Sequence, residues 1–198
     1  MADDDRMMKA VRFALSCLIV SALLIAGEPL TVDPSQTKVD FTLPSLLHTV
    51  HGEFRLKRGA LSFDPQTGAI SGELAVDATS GESGNGSRDK RMHNAILESA
   101  KYPEITFRPD RVDGKIGAAG KSQVQVHGMF TIHGAEHEVM APASVDASNG
   151  FYMVEMTLEI PYVKWGMKNP STLVLRVNDT VTIHVRTRIA TAAARSAL

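Results

Sequence analysis

Histidine is the residue type in this chain with the most chemistry to offer, at seven copies against a single cysteine. His48 and His51 lie three apart near a strand start, and His133 and His137 flank a turn at Gly134 and Ala135, so either pair could close on a shared cation. Against that stands the absence of a supporting cysteine or a helical ligand spacing, and His127, His133 and His184 fall on the polar side of their segments. Surface histidines are the simpler reading. Asp89 and His93 are one helical turn apart, and with Tyr102 they offer an acid–base set. No Gly-x-Ser-x-Gly elbow, phosphate-binding glycine loop or HExxH run accompanies them, and the only thiol, Cys17, sits in an apolar leader. The sequence therefore reads as a binding protein and not an enzyme, with a histidine metal-binding or stress-scavenging barrel as the alternative.

The elements that must position these residues are mostly strands. From Lys38 onward apolar and polar residues alternate: Val39, Phe41 and Leu43; Gly52, Phe54 and Leu56; Leu61 and Phe63; Ile70, Gly72, Leu74 and Val76. The last third holds the longest alternations, through Val124, Val126, Gly128, Phe130 and Ile132, then Tyr152 to Ile160, then Val181 to Ile189. Each strand has one dry face. Such a sheet must close or pack on another, and about eight to nine strands joined by short turns predict an all-β, single antiparallel, lipocalin-like barrel. One amphipathic helix is expected over 87–101, capped by Ser87, with Met92, Ile96 and Ala100 on its dry side and a stop imposed by Pro103. It reads as a lid. The polar stretch 79–86, TSGESGNG, is expected to be its flexible hinge.

Composition bounds the partners. With 21 basic against 22 acidic residues there is no pull toward nucleic acid. Lys9 and Arg12 precede 14 uncharged residues ending at Ala26, which is the form of a secretory signal over 1–27; a bilayer span needs about 20. Export to the periplasm is expected, then a barrel over 28–190 and a loose tail over 191–198. Without Cys17 the exported chain has no disulfide to lean on.

The interior of an eight-stranded barrel either fills with side chains or holds one slim guest. The inward residues carry no evident charge, so a guest would be apolar, with room coming from Gly52, Gly72 and Gly128; equally, those glycines could mark bulges around a solid core.

The motifs VDPSQTKVDFTL at 32–43, HGEF at 51–54, GNGSRDKRMHNAILESAKYPEITF at 84–107, HGMFTIHG at 127–134 and NDTVTIHV at 178–185 together resemble the YceI-like family. The resemblance runs from about Val32 to Arg188. It implies a lipocalin-like barrel without catalytic residues that encloses a polyisoprenoid, an isoprenoid quinone or a fatty-acid-like lipid, for lipid storage, transport or stress response. On that reading Phe41, Phe54, Leu74, Met92, Ile96, Phe107, Phe130, Met156 and Trp165 form the lipid channel, and Arg88, Asp89 and His93 serve the headgroup or lid. No metal site or cofactor is implied beyond a bound isoprenoid lipid. Partners are then a long-chain lipid and, in a homodimer, a second copy; from the residues themselves Trp165 reads first as a core or loop anchor, although Tyr162, Trp165 and Met167 near the rim could also touch a membrane transiently. The family's Asp-Phe-Phe run is replaced here by Ile96, Leu97 and Glu98.

Overall fold

The computed structural model describes residues 27–172, 176–191 and 194. The secretory signal expected over 1–27, with Cys17 inside it, lies outside the described residues apart from Gly27, as does most of the tail expected over 191–198. Nine strands follow in order: β1 Glu28–Thr31, β2 Thr37–Pro44, β3 Thr49–Phe63, β4 Ile70–Glu82, β5 Glu104–Asp113, β6 Gly120–Ile132, β7 Ala135–Ser148, β8 Phe151–Ile160 and β9 Val181–Ala190. All pairings are antiparallel, in the order β1-β3-β2-β9-β8-β7-β6-β5-β4. A further pairing of β3 with β4 closes the sheet into an eight-stranded barrel, with β1 as an added strand. β1 and β2 share one edge of β3: Thr31 stands opposite Ala60 and Val39 opposite Phe54. Between them Val32 N donates to Gly59 O at 3.0 Å.

Three expectations are corrected in detail. Residues 49–63 form one strand of 15 residues where two were expected, because β3 must pair with β2 and β1 along one edge and with β4 along the other. Residues 79–82 of the expected hinge belong to β4: Ser80 Oγ accepts from Arg55 N at 2.8 Å, and Asp77 accepts from Thr79 N at 2.8 Å. Polar side chains here satisfy a bulged backbone, so the polar composition does not mark a free loop. The helix is also shorter than 87–101. It consists of α1, Gly86–Arg91, and a widened π turn over Met92–Ile96. Asn85, not Ser87, caps it, its Oδ1 accepting from Arg88 N at 3.1 Å. The helix ends at Leu97, well before Pro103, where Glu98 adopts φ +48° and turns the chain.

The outer seam of β3, β4 and β5 carries an ion cluster. Glu104 accepts from Lys57 at 2.8 Å and Arg58 at 2.7 Å, and Arg58 also donates to Glu73 at 2.9 Å. Hydrogen bonding by Arg58 first, and by Lys57 next, lowers the Glu104 carboxyl to about 2.

The three inward glycines do not make room inside. Gly72 is exposed at φ +112°, where a Cβ would lie 2.2 Å from Ala60 O. A Cβ at Gly128 would sit 2.5 Å from Arg108 O and 2.9 Å from the Phe107 ring. Gly52 is equally crowded, by Glu82 O and the Phe41 ring. These are close-approach sites, as the alternative of bulges and corners predicts. Gly128→Ala should therefore cost about 1–3 kcal/mol, because the obstacle is backbone that cannot rotate away. Urea unfolding measures it; an unchanged midpoint would show that β5 can retreat from β6.

Candidate ligand cavity

The inward faces of the strands enclose a cavity of about 580 Å³. Side chains such as Phe54, Leu74, Ile105, Val154 and Ile183 face it and stay partly accessible, which a solid core would not allow. On β7 the wall is made by short side chains, Ala143 and Val145, in a strand where Ala141 and Ala147 are buried in the same alternation. From Tyr152 to Ile160 on β8, both of which line the space, the strand rises about 26 Å. A tilt of roughly 40° leaves about 20 Å along the barrel axis. The cavity is a deep, narrow slot.

Its chemistry is one-sided. Among the described residues no aspartate, glutamate or lysine lines it, and two arginines do, Arg88 and Arg91, from α1. They stand with Ser45, His48, Ser83, Asn85 and Ser87 at the end where β2, β4, β6 and β8 finish. This end is the polar mouth. Arg88 is fixed, its Nε donating to Ser83 Oγ at 2.7 Å and its Nη2 to Ser83 O at 2.8 Å. At the same end Tyr162 donates from its hydroxyl to Asn178 O at 2.7 Å, and burial pushes that phenol up to about 12.

Most of the residues singled out in the sequence come together here. Phe41, Phe54, Leu74, Phe107, Phe130 and Met156 line the walls, and Met92 and Ile96 form part of the roof. Phe41 and Phe54 approach to 5.5 Å between ring centroids, and Phe107 pairs with Leu74 on one side and Phe130 on the other. Trp165 lies outside the lining: its indole stacks on His137 at 3.9 Å and 3°, and stands 6.0 Å from Phe130. Asp89 and His93 also stay out. Asp89 accepts from Ser83 N at 3.0 Å and from Ser83 Oγ. His93 bonds Gly81 O through Nε2 at 2.8 Å and Ser99 Oγ through Nδ1 at 3.0 Å. A carbonyl can only accept, so Nε2 carries the proton and the ring clips the helix to β4.

The acid–base set is not assembled, because Tyr102 packs against His133 at 4.7 Å while Asp89 and His93 face Ser83 and Gly81. The histidine pairs part in the same way. His48 is at the mouth, His51 is beside Thr42, His133 reaches Glu98 at 3.3 Å and His137 faces Trp165. Among the described residues no three His, Cys, Asp or Glu side chains gather as metal ligands. Arg91 and the small residues of β7 escaped sequence reading, and His48 was read as a cation ligand, not a mouth residue, although the alternation Val139, Ala141, Ala143, Val145, Ala147 was there to be seen.

Residues 30–189 match the sequence profile of the YceI-like domain. The chain belongs to the YceI-like family. Solved structures share its fold. BcnA of Burkholderia cenocepacia is 21% identical with a TM-score of 0.66, over 81% of this chain and 99% of that one. A polyisoprenoid binding domain from Saccharophagus degradans, implicated in plant cell wall breakdown, is 17% identical with a TM-score of 0.63, over 82% and 98%. The YCEI protein of Campylobacter jejuni is 18% identical with a TM-score of 0.59, over 73% and 86%. No curated protein matches the sequence.

Within this YceI-like barrel the Trp165–His137 stack is a built-in probe, since Trp165 is the only tryptophan. His137 Nε2 is buried without a hydrogen-bond partner, and burial lowers the imidazole pKa. Neutral His137 is thus favoured by folding. Its contribution to stability is complete above the ordinary value of 6.5 and is lost as pH falls through the lowered one. Trp165 emission should titrate with a midpoint below 6.5, and His137→Gln should remove the transition. A midpoint at or above 6.5 would mean that the ring is solvated.

Proposed function

We propose that this chain is an exported carrier that encloses one long-chain lipid in its barrel, with the apolar chain in the slot and the polar head at the Arg88–Arg91 mouth. The carrying observation is a slot some 20 Å deep with no carboxylate or lysine in its wall. A charged or compact polar molecule would lose its hydration there without compensation. A chain of methylenes or isoprene units gains roughly 0.8 kcal/mol for each methylene-sized unit buried. Polyisoprenoids, isoprenoid quinones and fatty-acid-like lipids all meet this requirement, and the neighbour from Saccharophagus degradans, described as polyisoprenoid binding, supports the first. Periplasmic action rests on Lys9, Arg12 and the uncharged run to Ala26.

The deciding experiment is native mass spectrometry of the protein from periplasmic extract, with lipid analysis of what it releases, followed by titration of delipidated protein with a chain-length series. Affinity should rise steeply with chain length, by up to about fourfold per methylene until the slot is full. Ile96→Asp should weaken binding by at least about a hundredfold, by placing an unpaired carboxylate in the dry roof, while unfolding stays cooperative. A bare protein mass with no uptake of any chain would overturn the proposal.

A further inference from the structure

Four large apolar side chains stand out among the described residues by their exposure, and two are adjacent: Leu46 at 71% and Leu47 at 72%. They form the tip of the β2–β3 hairpin, between Ser45 and His48, which both line the cavity mouth. Neither leucine lines the cavity itself. The tip is not a loose loop. Ser45 N donates to His48 O at 3.0 Å, Leu46 N to Arg176 O at 2.9 Å and Asn178 N to Pro44 O at 3.0 Å. Ser45 also bridges to Val177 as in a strand pair. A braced backbone thus holds two leucines out in water, beside the opening. The rim residues Tyr162 and Met167, expected from sequence to meet a membrane, are instead turned inward at 4% and 3% exposure.

Charge is polarised along the same axis. The segments 83–103, 161–172 and 176–180, which cap the mouth with the leucine hairpin, hold Arg88, Lys90, Arg91, Lys101, Lys164, Lys168 and Arg176 against Asp89, Glu98 and Asp179. Seven cations less three anions leave +4 at this end, in a chain whose formal net charge is −1. At the opposite end the segments 27–36, 64–69, 114–119 and 149–150 hold Glu28, Asp33 and Asp64 against Lys115. Such a molecule meets an anionic surface mouth first.

We propose that the Leu46–Leu47 hairpin docks the barrel, mouth down, on a bilayer bearing anionic phospholipids. The leucines enter the headgroup boundary while the surrounding arginines and lysines meet phosphates. A long lipid can then pass between membrane and slot without its chain crossing water. This rests on the carrier reading, but the docking is measured separately from cavity binding.

The test is flotation of delipidated protein with vesicles of phosphatidylethanolamine and phosphatidylglycerol, alongside sedimentation analysis without lipid. Wild-type protein should float, and flotation should weaken at high salt and with vesicles of phosphatidylcholine alone. The double change Leu46→Gln, Leu47→Gln should lower partitioning by at least about tenfold while titration of the slot with a soluble long-chain ligand is unchanged. Met140→Gln, an exposed side chain on β7, should have no effect. Absence of flotation by wild-type protein, equal flotation by the double variant, or an equal loss in Met140→Gln would overturn the docking role. A wild-type dimer that the leucine change turns to monomer would overturn it too, by giving the hairpin to a second copy. Loss of slot binding in wild-type protein with flotation intact would strike the carrier reading and leave the docking standing.

Discussion

Everything in this molecule depends on the sheet having no open edge in its ring. The pairing of β3 with β4 closes eight strands on themselves, and closure compels half of every strand to face a common axis. Once closed, the barrel has backbone hydrogen bonds all round, so its interior need not be full to be stable. That separates it from a helical bundle, where a comparable void would remove the packing that holds the helices together. The outer ion cluster of Lys57, Arg58, Glu73 and Glu104 lies across this closing seam and its neighbour. The bulges between β3 and β4 leave Gly81 and Ser83 facing the helix that covers one end.

That helix is held by polar contacts and pays its apolar face to the cavity. His93 bridges Gly81 and Ser99, while Ser83 accepts from Arg88 and donates to Asp89. Three side chains that look like chemistry in the sequence are therefore fasteners, and the consequence is where Met92 and Ile96 end up. The widened turn over Met92–Ile96 coincides with the His93 clip and leaves both side chains in the roof. The same fastening keeps Arg88 at the mouth, held by two hydrogen bonds to Ser83 and lining the cavity.

Alternation made the fold legible. A period of two with one dry face, sustained from Val39 to Ile189, has few solutions, and the turn read at Gly134 and Ala135 lies one residue beyond the observed one at 133–134. Phe41, Phe54 and Phe130 sit on the dry faces that the alternation marks, and they line the wall together with Phe107. Less legible was anything decided by contacts distant in sequence. TSGESGNG has loop composition, yet half of it completes β4, because Arg55 on β3 supplies the partner for Ser80. Ser87 and Asn85 are both good caps, and only the path of the chain out of β4 selects Asn85. The glycines misled about room for the same reason: a missing side chain records that something approaches closely, and the sequence does not say whether that is a guest or another strand. Here it is Arg108 O at Gly128 and Ala60 O at Gly72.

The open slot has an energetic consequence for how such a barrel behaves. Its walls hold apolar side chains that remain accessible, so part of the hydrophobic stabilisation available to this chain is not realised by folding alone. A chain-like guest completes it, and whatever binds the folded barrel but not the unfolded chain adds to stability by mass action. Stability and cargo are then one equilibrium. The empty barrel has an incentive to acquire a guest and the loaded one a barrier to losing it, which in water is the cost of exposing every methylene at once. Release on a useful timescale therefore favours a path on which the chain never traverses water, and the docking proposed for the leucine hairpin would supply one at the cationic end of the barrel.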